Sequence, residues 1–236
     1  MGATIKIEHL NRIFPVGNQQ IQVLTDINAV IPDSRFTILR GRSGSGKTTL
    51  MNQIGALDTP SSGSILLDGQ DLVKLSDRQK EDLRRKKFGF VFQAVSLIPT
   101  MTAYQNVEFS LRMAGVRGDY RHRVEETLRM VGLAGRMNHM PAEMSGGEQQ
   151  RVAIARGIAH HPSILLADEP TAELDSGMAA EVTRILKEMT RKEHVTVLMT
   201  THDVGLMDAG DVVIELQGGR IVDVKENESN KLDVLS

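Results

Sequence analysis

The eight residues from Gly41 to Thr48, Gly-Arg-Ser-Gly-Ser-Gly-Lys-Thr, constrain the fold more than any other stretch of this 236-residue chain. They match the pattern G-x-x-x-x-G-K-[ST] at every fixed position. An apolar strand, Phe36 to Arg40, precedes them, and a helix from about Lys47 to Ala56 is expected to follow. In that setting the pattern predicts a phosphate-binding loop of an α/β domain, whereas the alternative is a Gly/Ser linker that happens to contain a lysine.

The residues of this loop are candidates for binding a nucleotide. Lys47 would neutralise the β- and γ-phosphates, and the Thr48 hydroxyl would bind Mg²⁺. The glycines let the backbone wrap closely around phosphate oxygens. The other candidate positions are the rest of the loop and the next threonine: Gly41, Arg42, Ser43, Gly44, Ser45, Gly46 and Thr49. The motif alone indicates only a nucleoside triphosphatase, because kinases, GTPases and helicases share it.

A second apolar strand ends in two carboxylates. Residues 164–167, Ile-Leu-Leu-Ala, run directly into Asp168 and Glu169. Asp168 is expected to reach the Mg²⁺ through water, and Glu169 to polarise the attacking water as a general base. The alternative is an ordinary junction between a strand and a loop, with two solvated acids.

A second candidate phosphate site opens the helix predicted from Glu148 to Ala159. Ser145 is a good N-cap, and Gly146 and Gly147 follow it. The chain therefore has two helix starts that could bind phosphate, about a hundred residues apart. A single nucleotide does not easily need both from one chain, so the sequence indicates that two chains share each nucleotide. A capped surface helix is the other interpretation.

The pattern along the chain predicts an α/β fold. Apolar residues recur at helical spacing from about Thr102 to Gly157, which indicates an inserted helical subdomain. A helix is expected from about Ser176 to Met189, and strands that alternate with helices favour a mostly parallel sheet. The expected strands are Thr4–Glu8, Ile21–Leu24, Ile27–Ile31, Phe36–Arg40, Gly63–Asp68, Phe88–Phe92, Ser163–Ala167, Thr196–Met199, Val212–Leu216 and Arg220–Val224.

Composition excludes several classes of protein. The absence of cysteine excludes disulfides, thiolate zinc sites, iron–sulfur clusters and cysteine nucleophiles, and it is compatible with a cytosolic protein. A net charge of −2 and an aromatic content of 3% argue against a nucleic-acid partner. We expect no membrane span, since no run of about 18 apolar residues occurs. The first eight residues show no secretory signal.

With these motifs in this order, the chain resembles the nucleotide-binding subunits of ATP-binding-cassette (ABC) transporters, from about Thr4 to Val224. Ser145-Gly146-Gly147 looks like the family signature, and we call residues 145–148, which include Glu148, the signature loop. The resemblance implies that Gln93 contacts Mg²⁺ and senses the partner subunit. It also implies that His202 contacts the γ-phosphate, that Leu174-Asp175-Ser176 crosses the dimer interface, and that Phe14 lies against adenine.

Within the family the chain looks closest to the group that serves macrolide export, lipoprotein release and antimicrobial-peptide resistance. The residues behind this are Gly89 to Gln93, then Leu97-Ile98-Pro99, Thr102-Ala103 and Asn106-Val107. Glu148 departs from the most common family residue, which is glutamine, although acidic residues occur there in this group. This departure removes no catalytic group.

The resemblance implies an ATP hydrolase that closes as a head-to-tail dimer around two MgATP. Its expected partners are a second copy of itself and membrane-embedded transporter subunits, which would hold it at the cytoplasmic side of the membrane. The expected transported substrate is a peptide, lipid-linked or drug-like molecule. The alternative is a soluble ABC ATPase that acts as an assembly or repair switch.

We also expect a single ABC ATPase domain over residues 1–236. Its nucleotide-binding core, with an N-terminal antiparallel β subdomain, would span about 1–93 and 158–225. The helical subdomain with the signature loop would span about 94–157, and residues 226–236 would form a polar tail.

Overall fold

The computed structural model describes residues 2–227. The polar tail expected over residues 226–236 lies outside the described residues from position 228 onward. Within the described part, two β-sheets and six α-helices form the fold.

The larger sheet has six strands in the order β10-β9-β3-β8-β7-β6. Its strands are β3 (Phe36–Arg40), β6 (Phe88–Val91), β7 (Ile164–Ala167), β8 (Thr196–Thr201), β9 (Val212–Gln217) and β10 (Arg220–Glu226). All neighbours are parallel except β9 and β10, which form an antiparallel hairpin. The mostly parallel sheet predicted from the sequence is therefore confirmed.

The central strands are buried on both faces. Every residue of β7 and β8 is buried, as an internal parallel strand covered on both faces should be. One face of the sheet packs against α3 (Ala103–Met113), α4 (Arg121–Met130), α5 (Gly146–Ile158) and α6 (Ser176–Lys192). The other face packs against α1 (Lys47–Ile54) and the second sheet. Successive β7 side chains, such as Leu165 and Leu166, accordingly join different core clusters.

The second sheet is antiparallel, in the order β2-β1-β4-β5. It consists of β1 (Ile5–Val16), β2 (Gln19–Ile31), β4 (Ser62–Leu67) and β5 (Gln70–Asp71). This is the predicted N-terminal β subdomain, but two details of the prediction are wrong. The first strand continues past Glu8 to Val16, and the two strands expected over 21–31 are one. Register shifts and a positive φ of 48° at Asp26 interrupt the alternation that the prediction relied on.

The helix α2 (Asp77–Lys87) was not predicted from the sequence. Ser76 and Gln79 start it with a reciprocal capping box, in which each side chain bonds the other residue's backbone N–H. Its sequence is almost entirely charged, and Lys80 is its one residue classed as buried. Apolar periodicity, the main signal for an amphipathic helix, is therefore absent from this stretch.

No helix within residues 2–227 is both long enough and apolar enough to cross a lipid bilayer.

Candidate functional site

The sheet register places three functional loops side by side. Leu39 of β3 pairs with Thr200 of β8, and Ala167 of β7 pairs with Met199. Because these parallel strands end at the same edge, the phosphate-binding loop, the acidic pair and His202 all leave the sheet there. In open parallel sheets ligands bind outside the carboxyl ends of the strands.

These loops enclose a cleft with a volume of about 680 Å³. It is lined by most of the residues predicted to bind or hydrolyse nucleotide, together with Val23: Arg42, Ser43, Gly44, Gly46, Lys47, Thr48, Thr49, Gln93, Glu169 and His202. This volume is within the usual range for small-molecule sites. Gly41 and Ser45 instead line a second groove, beside Glu215 and Leu216.

Three oxygen atoms hold the Lys47 ammonium. Its Nζ donates to the carbonyl oxygens of Gly41 at 2.9 Å and Arg42 at 3.3 Å. It also lies 3.1 Å from Glu169 Oε1. The Lys47 side chain is only 4% exposed, so its position is well fixed. The ammonium thus sits at the floor of the cleft, where an incoming phosphate oxygen competes directly with the Glu169 carboxylate.

Glu169 joins the loop to the end of β8. Its second carboxylate oxygen lies 3.1 Å from His202 Nδ1, so the carboxylate bridges Lys47 and His202. The backbone of Glu169 has a φ of +44°, in the left-handed region that non-glycine residues rarely adopt. Strain of this kind is typical of functional positions and persists only where neighbouring contacts enforce it.

Thr200 is a site residue that was not predicted from the sequence. Its fully buried hydroxyl donates to Asp168 Oδ1 at 2.6 Å and accepts from the Glu169 backbone N–H at 2.8 Å. It therefore holds both acids and supports the strained φ of Glu169. The signal in the sequence was weak, because a threonine within a β-strand is ordinary and only the pairing of β7 with β8 brings it to the acids.

The phosphate-binding loop adopts the backbone shape that its glycines permit. Gly46 has a φ of +104°, and a Cβ there would lie 2.9 Å from Leu24 Cδ2. Gly46 is also the N-cap of α1, so the free N–H groups of the first helical turn follow the loop directly. Gly44 has a φ of +76°, and a Cβ added there would have no protein atom within 4 Å. At these two glycines the loop presents backbone to the cleft, as a phosphate cradle requires.

The predicted magnesium ligands fit that ion chemically. Thr48 and Gln93 line the cleft with a hydroxyl and an amide, and the Asp168 carboxylate follows β7. Mg²⁺ prefers oxygen ligands and usually combines one or two protein carboxylates with waters and substrate phosphates. Residues 2–227 contain no cluster of three or more His, Cys, Asp or Glu that could enclose a metal on its own.

The signature loop does not line this cleft. Ser145 is the N-cap of α5 and forms a capping box with Glu148, whose Oε2 accepts from the Ser145 N–H at 2.9 Å. This backbone hydrogen bond lowers the pKa of Glu148, and the nearby Arg136 contributes in the same direction. A Cβ at Gly147 would collide with Met178 in the first turn of α6. The start of α5 is therefore an ordered helix N-terminus outside the cleft.

Phe14 also lies outside the residues that line the cleft. It is half-buried near the end of β1, and the Arg12 guanidinium carbon lies 4.2 Å from its ring centroid. Asp58 fixes this arginine through a 2.8 Å hydrogen bond. One face of the ring is thus taken by a cation, and the assignment of Phe14 to adenine stays a prediction.

Both curated proteins and solved structures resemble this chain. The macrolide export ATP-binding/permease protein MacB of Hahella chejuensis is 41% identical over 97% of this chain, and that of Mannheimia succiniciproducens is 43% identical over 93%. The chain spans about a third of the length of these relatives, 35% and 34% respectively. The solved dimeric ABC transporter cassette MJ0796 superposes with a TM-score of 0.87 at 37% identity, covering 95% of this chain and 99% of that one. A second structure of the same cassette is a post-hydrolysis state bound to ADP and Pi, with the same TM-score.

The family model described as "ABC transporter" matches residues 24–172. This segment contains the phosphate-binding loop, the signature loop and the acidic pair, which are the features that suggested the family from the sequence. The resemblance to the macrolide-export group and the cassette fold are both confirmed. From its motifs, its fold and this match, the chain belongs to the ABC transporter family.

Proposed function

We propose that this chain hydrolyses MgATP as a head-to-tail dimer and thereby drives a membrane-embedded transporter. The observation that carries the proposal is the Glu169 carboxylate, which lies between Lys47 and His202 at the mouth of a phosphate-binding loop. A base, a cation and a histidine thus meet at the point where the terminal phosphate of a nucleotide on that loop would lie.

Nucleotide binding would begin at Lys47. A phosphate oxygen on the loop takes the place of Glu169 beside the Lys47 ammonium, and the N–H groups at the start of α1 bind the remaining charge. Mg²⁺, held by Thr48, Gln93 and Asp168, would neutralise charge on the β- and γ-phosphates.

The exchange of partners at Lys47 prepares the hydrolytic step. Glu169, no longer beside Lys47, keeps its contact with His202 and its backbone anchor at Thr200. Its free carboxylate oxygen is then available to accept a proton from the attacking water, while His202 stays close enough to contact the γ-phosphate. The hydrogen bond from the Glu169 N–H to Thr200 fixes the main chain that carries this carboxylate before substrate arrives.

The signature loop supports the dimer. Ser145, Gly146, Gly147 and Glu148 start an ordered helix outside the chain's own cleft. A second copy, turned head to tail, would place this helix N-terminus against the γ-phosphate of the first copy's nucleotide. ATP then bridges the two chains, and hydrolysis removes the bridge. Closure is in this way coupled to the state of the nucleotide.

The proposal of a membrane partner is supported by the names of the similar proteins. MacB proteins are ATP-binding/permease proteins, and this chain matches about a third of their length. We assign residues 94–157 and the surface from Gln93 to Asn106 to transmitting closure to the membrane subunits. The chain would act at the cytoplasmic face of the membrane, in export or extraction of a peptide, lipid-linked or drug-like substrate.

The test is a detergent pull-down from native membranes with tagged Glu169→Gln protein and MgATP, followed by mass spectrometry. Lys47→Ala is the matched control, because it should not enter the ATP-closed state. Recovery of one polytopic membrane protein with Glu169→Gln, and less of it with Lys47→Ala, is the expected result. Recovery of soluble proteins only, with the tagged chain dimeric, would refute the membrane role and leave the soluble ABC ATPase.

A further inference from the structure

The signature loop of this chain carries a negative charge at the place where the proposed dimer needs to accept a phosphate. Glu148 is the third residue of α5, and the hydrogen bond from the Ser145 N–H lowers its pKa. The carboxylate is therefore ionised at neutral pH. Its attachment to Ser145 prevents it from turning away without breaking the capping box.

A fixed carboxylate at this position opposes the attraction of the helix N-terminus for an anion. The N-terminal end of a helix carries roughly half a positive charge, and a full negative charge on its first turn outweighs that. A glutamine could form the same capping box without the charge. This chain therefore needs a cation close to Glu148 if a phosphate is to approach Ser145.

Arg136 supplies that cation. It ends a short 3-10 turn over Ala134–Arg136, and its Nε lies 3.1 Å from Glu148 Oε1. The two carboxylate oxygens are thus divided between Arg136 and the Ser145 N–H. Arg136 Nη1 also lies 3.1 Å from His139 Nε2, which limits the freedom of the guanidinium.

The other arginine near Glu148, Arg151, already forms an ion pair with a different carboxylate. Arg151, one turn further along α5, lies 3.1 Å from Glu181 Oε2 on α6. Its charge is therefore largely balanced by another carboxylate. Arg136 has no second carboxylate among its ion pairs within residues 2–227, so its charge is available to Glu148.

We propose that Arg136 is a positioning residue of the ATP-bound dimer: it holds Glu148 in the Ser145 cap and cancels the charge that Glu148 would present to the partner's nucleotide. This inference rests on the proposed function, because it needs the signature loop to meet a phosphate in the other copy. Arg136 does not touch the nucleotide and acts through Glu148 alone.

The experiment measures ATP-driven dimerisation by sedimentation, and every chain carries Glu169→Gln. Arg136→Gln is compared in two backgrounds, one that keeps Glu148 and one that carries Glu148→Gln. Without Arg136, the Glu148 carboxylate would repel the phosphate of the partner's nucleotide. For unit charges about 6 Å apart in water, at two sites per dimer, this repulsion corresponds to about a tenfold change in the dimer dissociation constant. We expect Arg136→Gln to weaken the dimer about tenfold next to Glu148, and by less than about threefold in the Glu148→Gln background.

Two further readouts separate charge compensation from a merely structural role. The weakening of the dimer by Arg136→Gln beside Glu148 should shrink to about twofold near 1 M salt, because the Debye length there is about 3 Å. Arg129→Gln on α4, which removes an exposed arginine paired with Glu125, is the control and should leave the dimer unchanged. Arg136→Lys keeps the charge and serves as the second variant if Arg136→Gln proves poorly folded in thermal melts.

A penalty of equal size in both Glu148 backgrounds would overturn the inference, since it would show that Arg136 acts through the fold of the loop. No penalty beside Glu148 would also overturn it. If the parent Glu169→Gln chain does not dimerise with MgATP at all, the proposed function itself fails and the inference falls with it.

Discussion

Replacing Thr200 with valine removes a single hydroxyl at the centre of the site and preserves the shape of the side chain. That hydroxyl is fully buried, donates to Asp168 Oδ1 at 2.6 Å and accepts from the Glu169 N–H at 2.8 Å. The substitution therefore leaves one backbone donor without its partner and removes a hydrogen bond from a carboxylate. It also removes the contact that supports the φ of +44° at Glu169.

The loss in the free energy of unfolding caused by Thr200→Val can be estimated from these two hydrogen bonds. A hydrogen bond to a charged group contributes about 1.5–3 kcal/mol, and an unpaired buried donor costs about 1–3 kcal/mol. Asp168 and Glu169 are only half-buried, so water recovers part of this, and we expect a net loss of about 2 kcal/mol in the free energy of unfolding. For a chain of this size that lowers Tm by about 4–8 °C.

The effect on turnover should exceed the effect on stability. A displacement of about 1 Å in a reacting group can cost about a hundredfold in rate, so we expect kcat to fall by tenfold to a hundredfold. Phosphate release at saturating ATP measures kcat, and thermal melts measure Tm. Thr200→Ser, which keeps the hydroxyl, is the matched control. If Thr200→Val lowers Tm as expected but leaves kcat within about twofold, Thr200 does not position the acids.

The other predictions concern nucleotide binding and pH. Lys47→Ala should abolish tight nucleotide binding in equilibrium titrations, and retention of it would contradict the placement of the phosphates. Phe14→Ala should raise KM for ATP about tenfold with little change in kcat, as loss of one base stack does; a change below twofold would separate Phe14 from adenine. The lowered pKa of Glu148 means that its cap stabilises the fold above about pH 4.5 and is lost as pH falls further. Thermal melts should then show the unmodified chain losing its advantage over Glu148→Gln at acid pH, and a constant difference would refute this.

The parts of the fold that could be predicted were those with a local signal. The phosphate-binding loop has a fixed spacing and follows the mostly apolar strand β3, and β7 is a continuous apolar run that leads into the acidic pair. The helix α2 had no such signal, because its charged sequence buries little and its start depends on the Ser76 capping box. The length of β1 was also missed, since register shifts interrupt its alternation.

The parts of the site that could not be predicted depend on contacts between distant residues. Thr200 reaches the acids only because β8 lies beside β7, and no motif marks it. Arg136 lies twelve residues before Glu148 in the sequence, and the short 3-10 turn that brings it to Glu148 leaves no apolar periodicity in the sequence. Motifs identified the groups that would meet the nucleotide, whereas the residues that hold those groups in place required the three-dimensional structure.

The central claim is that two copies of this chain share each nucleotide, and sedimentation of Glu169→Gln protein with MgATP tests it most directly. Glu169→Gln should cut turnover by roughly 10²–10⁴ while sparing binding, so ATP persists long enough to trap the closed state. We predict a dimer that holds one ATP per chain. Adding Ser145→Arg should leave each chain bound to ATP but monomeric. An ATP-bound Glu169→Gln monomer, or a dimer that forms equally well with Ser145→Arg, would contradict the shared site.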